Sequence, residues 1–156
     1  GGAGKVAALK LAQSGVKELF LVNRTESKLG PITELLRERF PGTTAQMGYP
    51  KSPVDLVVNA TSLGLQPSDP LPYDAGRWSP AGVAHAYDMI YQPAETPFLR
   101  QMREAGARTA NGLGMLLHQG AKALEIWSGR SAPLAAMRQA LVTQIYNAGM
   151  TPSALE

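Results

Sequence analysis

Short apolar runs alternate along the chain with longer stretches in which apolar residues recur at the spacing of a helix face. The apolar runs predict strands over residues 19–22, 43–49, 55–59, 83–89 and 107–110. The helical spacing predicts helices over residues 3–14, 28–40, 96–105, 112–127 and 133–147. Strands that alternate with helices are typical of βα units. The pattern therefore predicts an α/β fold with a mostly parallel sheet.

Glycine and proline mark where several of these elements begin or stop. Gly15 follows the first predicted helix, and Pro41 with Gly42 ends the second. Pro31 suits the first turn of that second helix, because the N–H that proline lacks is not needed there. Prolines and aspartates across residues 67–80 predict a loop. With 156 residues and no sign of an internal boundary, we expect one domain with one core.

Composition narrows the class of protein. Hydrophobic residues make up 44% of the chain and charged residues 17%, a globular balance rather than a disordered one. Cysteine is absent and there are two histidines, so we expect neither disulfides nor a metal site. The lysines and arginines that give the net charge of +3 are scattered along the chain, so we do not expect binding to nucleic acid. Without a long apolar run or a signal-peptide layout, no membrane association is expected, and a cytoplasmic location fits.

The amino-terminal residues predict a phosphate-binding turn without its leading strand. In a nucleotide-binding βαβ unit, a first strand leads into a glycine-rich turn and then a helix. This chain opens at Gly1, Gly2 and Ala3, already inside such a turn. Backbone N–H groups and the helix dipole at these residues favour a pyrophosphate. The alternative interpretation is a flexible terminus whose glycines remain from truncation or cloning.

A polar triplet, Asn23-Arg24-Thr25, follows the first predicted strand. About 20 residues after the glycines of a dinucleotide-binding fold, a carboxylate binds the ribose hydroxyl of NAD, whereas an arginine accommodates the 2′-phosphate of NADP. Arg24 offers paired bonds to phosphate oxygens, Thr25 adds a hydroxyl, and Lys28 adds a second positive charge. The triplet therefore predicts NADP as the cofactor, with a solvated loop as the alternative.

Four segments together resemble the C-terminal, NADP-binding half of shikimate dehydrogenase. They are VNRTESK (22–28), VVNATSLGL (57–65), YDMIYQPAETPFL (87–99) and NGLGMLLHQGAKALEIWSG (111–129). The resemblance spans nearly the whole chain and implies a Rossmann-like, doubly wound domain with a mostly parallel sheet. It implies that residues 1–156 are an NADP-binding domain without its first strand and without an N-terminal substrate domain. Members of the family reversibly reduce 3-dehydroshikimate to shikimate with NADPH, in aromatic amino acid biosynthesis.

The resemblance also implies roles for individual residues. The positions that match cofactor-binding residues are Gly1, Gly2, Ala3, Asn23, Arg24, Thr25, Lys28, Thr61, Met89 and Gly112. The positions that match substrate-binding residues are Tyr91 and Gln119. Met89 is implied to lie near the nicotinamide. Gly112 and Gln119 are seven residues apart, so on a helix they lie on the same face, about 10 Å apart along the axis. One helix could therefore contact both the cofactor and the substrate.

Proton transfer in the family uses a lysine partnered by an aspartate, both in the N-terminal substrate domain. The lysines that we compared with that motif do not match it and are expected to be solvated surface charges; they are Lys5, Lys10, Lys17, Lys51 and Lys122. We therefore expect no catalytic residue in this chain and little or no turnover by the chain alone. Loss of the first strand would leave unpaired strand edges, which favour aggregation or pairing with a supplied half.

Several conspicuous side chains receive ordinary structural interpretations. His118 points about 100° away from Gln119 on a helix, and His85 has no evident base or nucleophile partner, so both are expected to be structural or solvated. Asp88 is expected to hydrogen-bond locally or to orient the nearby loop. Ile126 and Trp127 are expected in the core.

Two other functions stay open at this stage. The chain could serve a dehydrogenase of quinate or of another polyol acid, because most contacts that discriminate substrates lie in the absent half. It could also be a non-catalytic nucleotide-binding module that acts without a catalytic partner. Glutamyl-tRNA reductases are similar only at the Asn-Arg-Thr triplet and do not account for the helix that carries Gln119. The expected partners are a small-molecule substrate and either a second copy or the missing domain.

Overall fold

The computed structural model describes residues 1–146 and shows alternating strands and helices. The helices are α1 (Gly2–Gln13), α2 (Gly30–Arg39), α3 (Pro97–Glu104), α4 (Leu113–Ser128) and α5 (Leu134–Tyr146). The strands are β1 (Glu18–Leu21), β2 (Thr44–Met47), β3 (Leu56–Asn59), β4 (His85–Asp88) and β5 (Arg108–Ala110). Each predicted element is present, and most boundaries shift by one or two residues.

Some of these shifts have an identifiable local cause. A short 3₁₀ turn occupies Glu26–Lys28, so α2 begins at Gly30, with Pro31 in its first turn as predicted. Strand β2 ends at Met47 rather than at residue 49, because Gly48 takes a positive φ of 101° that an extended strand does not contain. The predicted end of the last helix, Asn147, lies outside the described residues.

Every strand pairing is parallel, as the alternation of elements predicted. Strand β1 pairs with β2, and β4 lies between β3 and β5. Within residues 1–146, β1 and β3 are each paired on one side only. Both strands therefore carry an open edge, the feature expected of a sheet that lacks a strand, and the missing strand itself stays a prediction.

Two groups of buried apolar residues hold these elements together. One lies between α3 and the β4–β5 region; its members are Val83, Ala86, Phe98, Leu99, Met102 and Ala107. The other joins α1 and α2 to β2, through Ala8, Ala12, Leu36 and Ala45. The alanines allow close approach of α1, while Phe98 and Met102 are among the largest fully buried side chains. The single predicted core is thus two apolar clusters.

Helix α4 corrects one prediction about burial. Its buried residues are Leu113, Leu117 and Ala121, all within its first nine residues. Ile126 and Trp127 were expected in the core, but they are 70% and 83% exposed. Helical spacing identified the helix correctly, yet the neighbour that could cover its last turns is not among residues 1–146, where α4 packs mainly against α5.

Candidate functional site

The amino end of α1 lies beside the carboxyl end of β3. Gly1 caps the helix, and its carbonyl accepts a hydrogen bond from the Lys5 N–H at 3.1 Å. A Cβ added to Gly4 would lie 3.9 Å from the Cβ of Ala60, the residue after β3. The first N–H groups of a helix have no partner within the helix, so this end presents donors to an anion. Gly1, Gly2 and Ala3 are exposed there, as a phosphate-binding turn requires.

A positively charged loop follows β1. Arg24, Thr25 and Lys28 are exposed, and the Oδ1 atom of Asn23 lies 3.5 Å from the Thr25 N–H. Glu26, the acidic residue of this loop, lies 3.8 Å from the Arg77 guanidinium. This pair is exposed and contributes little to stability, but it partly neutralises the carboxylate of Glu26. The loop can therefore offer Arg24 and Lys28 to a phosphate.

A buried polar network joins the carboxyl ends of β3 and β4. We call the side chains of Asn59, Asp88 and Thr96 the strand-end network; they are 3%, 0% and 0% exposed. The Thr96 hydroxyl donates to Asp88 Oδ2 at 2.6 Å, and the Asn59 Nδ2 donates to Asp88 Oδ1 at 3.1 Å. The Ile90 N–H donates to the same Oδ1 at 3.0 Å. The carboxylate thus accepts three hydrogen bonds inside the protein.

The strand-end network also fixes the residues that follow each strand. The Oδ1 of Asn59 accepts the Thr61 hydroxyl at 2.7 Å and the Thr61 N–H at 3.1 Å. The Asn59 carbonyl accepts the Met89 N–H at 3.0 Å. Thr61 and Met89, two predicted cofactor contacts from different parts of the sequence, are therefore both tied to Asn59.

Burial governs the ionisation of Asp88. Loss of water around the carboxyl raises its pKa, and the hydrogen bonds from Thr96, Ile90 and Asn59 oppose that rise without cancelling it. The expectation that Asp88 bonds locally is confirmed. Sequence reasoning did not identify Asn59 or Thr96, although Thr-Pro before a helix is a recognisable capping signal, and Thr96 does accept the Leu99 N–H at 3.2 Å.

The start of α4 packs directly against the end of β4 at Gly112. A Cβ at this position would lie far inside the contact distance of the Met89 carbonyl oxygen. The Gly112 N–H donates to the Ile90 carbonyl at 3.0 Å. Because φ at Gly112 is −74°, it is the close approach and not the backbone conformation that requires glycine. Gly112 and Met89, both predicted at the cofactor, are thus in contact.

A cleft of about 270 Å³ opens beside this contact. It is lined by Leu65, Met89, Ile90, Tyr91 and Gln92. Met89, predicted near the nicotinamide, and Tyr91, predicted to touch substrate, therefore face one space.

Hydrogen bonds join the loop that contains Tyr91 to the start of α4 and to the end of α5. The Tyr146 hydroxyl donates to the Tyr91 carbonyl at 2.5 Å. The Asn111 Nδ2 donates to the Tyr146 hydroxyl at 3.0 Å and to the Ala94 carbonyl at 2.9 Å. The Tyr146 side chain therefore holds the backbone of Tyr91 beside the cleft.

Gln119 is not brought into this cleft. It lies on α4, seven residues beyond Gly112, and its side chain is exposed. Its role at a substrate stays a prediction. His118 and His85 are exposed as well, and the Nδ1 of His85 lies 3.3 Å from the Asp55 carbonyl oxygen. The lysines compared above with the family's catalytic lysine are all exposed.

Across residues 1–146, no helix has the length and apolarity to cross a membrane. The same residues contain no group of three or more histidine, aspartate or glutamate side chains placed to hold a metal ion.

The raised pKa of Asp88 predicts a pH-dependent contribution to stability. Between the ordinary value of 3.8 and the higher folded value, the folded protein binds more protons than the unfolded chain. The contribution of Asp88 should therefore fall as pH rises through that window. Urea unfolding of wild type and Asp88→Asn across this range checks the sign, because other titrating groups cancel in the difference. A difference that grows in favour of wild type with rising pH contradicts the prediction.

The contact at Gly112 predicts that alanine destabilises the protein at Gly112 but not at Gly114, at the start of the same helix. Gly112→Ala should lower the free energy of unfolding by about 1–3 kcal/mol, because its methyl group overlaps the Met89 carbonyl. Gly114→Ala is the matched control, since a Cβ there meets nothing within 4 Å and alanine favours a helix. Urea unfolding measures both. Equal stability of the two variants would show that α4 does not approach β4 this closely.

Comparison with known proteins identifies similar chains. The family model described as "Shikimate 5'-dehydrogenase C-terminal domain" matches residues 112–142. The shikimate dehydrogenase (NADP(+)) of Desulforamulus reducens is 36% identical over 154 residues, with 93% of this chain and 52% of the relative aligned. The chain thus spans about half the length of the curated relatives that it matches.

Solved structures agree with the sequence matches. The shikimate 5-dehydrogenase of Thermus thermophilus, in complex with NADP(H) and shikimate, is 34% identical with a TM-score of 0.69, covering 90% of this chain and 51% of that one. The ligand-free 5-ketofructose reductase of a Gluconobacter species is also 34% identical, with a TM-score of 0.74, covering 92% and 53%. The predicted Rossmann-like α/β fold is confirmed. Over about nine-tenths of its length, the chain is similar to the C-terminal half of shikimate dehydrogenases.

Proposed function

We propose that this chain is the cofactor-binding half of an NADP-dependent shikimate dehydrogenase, an enzyme of aromatic amino acid biosynthesis. The reaction is the reversible reduction of 3-dehydroshikimate to shikimate. The observation that carries the proposal is the pairing of two features on one molecule. An arginine-bearing loop follows β1, and a cleft lined by Met89 and Tyr91 lies beside the end of β4.

The chemistry of the exposed donors fits NADP. Arg24 can form two parallel charge-assisted bonds to the 2′-phosphate, and Lys28 adds a point charge four residues later. Thr25 supplies a hydroxyl and Asn23 an amide. The free N–H groups at Gly2 and Ala3 suit the pyrophosphate, because the helix dipole favours negative charge there. Charge therefore recognises one end of the cofactor, at the β1 side.

The other end of the cofactor would lie at the β3 and β4 side. NADP supplies hydride chemistry when bound, and the protein holds and orients it. Met89 and Gly112 would border the nicotinamide, with Thr61 nearby at the end of β3. Tyr91 lines the same cleft and would meet the substrate there, and Gln119 would approach from α4 when the enzyme is complete. These assignments follow the family motifs, and the contacts among Asn59, Thr61, Met89 and Gly112 support them.

We propose that residues 1–156 form one NADP-binding domain and that the substrate domain lies outside this sequence. Two observations support this division. The relatives are about twice as long, and β1 and β3 have open edges within residues 1–146. The lysine and aspartate of the family's proton transfer would belong to that substrate domain, so the 156-residue chain alone should show little turnover. We also propose a cytoplasmic location. The partner of this chain would be either the substrate domain or a second copy.

A different hydroxyl-bearing substrate is the second candidate. The 34% identity to a 5-ketofructose reductase favours this alternative, because that protein's name gives a substrate other than shikimate. Quinate, a polyol acid like shikimate, is a further possible substrate. A non-catalytic nucleotide-binding module is the third candidate, and it would bind cofactor in the complete gene product without reducing any of these compounds.

The cofactor assignment predicts a preference that one side chain controls. The complete gene product should bind NADPH more tightly than NADH, and Arg24→Glu should weaken NADPH binding by on the order of 100-fold, because it removes charged bonds and adds repulsion. Arg130→Glu is the control, since it makes the same charge change at an exposed residue after α4. Fluorescence titration measures the dissociation constants. Equal binding of NADH and NADPH, unchanged by Arg24→Glu, would contradict NADP specificity.

The substrate assignment predicts an order of activities. With NADPH, the complete gene product should reduce 3-dehydroshikimate with a higher kcat/KM than 5-ketofructose, and with NADP⁺ it should oxidise shikimate in preference to quinate. Absorbance of NADPH at fixed protein concentration measures each rate. Faster turnover of 5-ketofructose or quinate would transfer the proposal to the second candidate, whereas cofactor binding without any turnover would favour the third.

A further inference from the structure

The strand-end network is more elaborate than local stability requires. Its three side chains come from the ends of β3 and β4 and from the cap of α3, and all are almost fully buried. Removing a carboxylate from water is unfavourable, and apolar side chains of similar volume would often stabilise such a site equally well. A fully satisfied buried network does, however, fix the relative geometry of the elements that it joins.

The bonds of the network lead to both sides of the cleft region. From Asp88, one path runs through the Asn59 amide to the hydroxyl and N–H of Thr61. A second runs from Asp88 Oδ1 to the Ile90 N–H, directly after Met89. The Met89 N–H is itself bonded to the Asn59 carbonyl. A shift of the Asp88 carboxylate would therefore move Thr61 and Met89 together.

Thr96 sets the position of that carboxylate. Its hydroxyl donates to Asp88 Oδ2 at 2.6 Å and accepts the Leu99 N–H at 3.2 Å, so α3 anchors the network. Its methyl group also packs at Gly64, whose φ is +114° and where an added Cβ would lie 3.2 Å from Thr96. Thr96 thus contacts the loop that carries Leu65, another residue that lines the cleft.

We propose that Asp88, held by Thr96 and acting through Asn59 and the Ile90 N–H, is a positioning residue that sets Thr61 and Met89 at the nicotinamide end of the cofactor. The inference rests on the proposed function, because the nicotinamide that Thr61 and Met89 would contact belongs to the proposed cofactor. Asp88 touches neither cofactor nor substrate in this account. Its loss should lower the rate of hydride transfer more than the affinity for the cofactor, since Arg24 lies on the loop after β1 and takes part in none of the network's hydrogen bonds.

Two substitutions at Thr96 separate the effect of its hydroxyl from the effect of its branched side-chain shape. Thr96→Val keeps the branched shape but loses the bond to Asp88, whereas Thr96→Ser keeps the hydroxyl. In the complete gene product, Thr96→Val should lower kcat by on the order of tenfold and change the NADPH dissociation constant less than about twofold, because misplaced reacting groups lose rate. Thr96→Ser should recover most of the kcat. Asp88→Asn should resemble Thr96→Val.

Thr33→Val controls for the general effect of removing a buried hydroxyl. Thr33 is 2% exposed and donates to the Leu29 carbonyl at 2.8 Å, far along the chain from the network. This variant should lose stability while keeping its kcat. If Thr33→Val and Thr96→Val lower kcat equally, or if Thr96→Ser is no better than Thr96→Val, the positioning role is overturned.

Amide hydrogen exchange without any ligand tests the network independently of activity. Thr96→Val and Asp88→Asn should accelerate exchange at Thr61 and Ile90, and Thr33→Val should not. Unchanged exchange at both amides would overturn the inference even if the enzyme is active. If wild type neither binds nor oxidises NADPH, the proposed function fails instead, and the exchange data still show whether Asp88 orders these two residues.

Discussion

The Asp88 carboxylate, buried where β4 ends and bonded to Thr96, Asn59 and the Ile90 N–H, is the constraint on which the geometry of the candidate site depends. A buried carboxylate is tolerated only when its oxygens are satisfied, so the three donors must stay in place whenever the protein is folded. Those donors come from two strand ends and a helix cap. Satisfying one side chain therefore fixes the relative positions of three elements and of the residues that follow them.

The candidate cofactor site is divided between two kinds of chemistry. Around β1, exposed positive side chains and free helix N–H groups suit a phosphate, and small movements of long side chains there are harmless because charge acts over distance. Around β3 and β4, buried hydrogen bonds and the contact of Gly112 with Met89 fix backbone positions closely. This division matches what a dinucleotide needs, since its phosphates require charge whereas hydride transfer requires accurate placement.

Much of the fold was predictable because its signals are local. Alternating runs predicted the five strands and five helices within residues 1–146, and Pro31 was correctly placed in a first turn. Asn23, Arg24 and Thr25 could be singled out because a strand end followed by an arginine has a direct electrostatic meaning. The family resemblance identified Met89, Tyr91 and Gly112, and the structure brings these three close to one another.

The remainder depends on contacts between distant segments, which spacing does not encode. The bond from Asn59 to Asp88 spans 29 residues, so the strand-end network was not visible in the sequence. Trp127 was misplaced for a related reason, because helical periodicity predicts an apolar face but not the partner that covers it. Gln119 was assigned to the substrate by the family resemblance, and its side chain is exposed within residues 1–146.

The most direct measurement is a crystal structure of the complete gene product with NADP⁺. We expect the 2′-phosphate oxygens to lie about 2.7–2.9 Å from the Arg24 guanidinium, with the nicotinamide against Met89 and Gly112. A cofactor whose 2′-phosphate lies away from Arg24, or whose nicotinamide lies away from the end of β4, would contradict it.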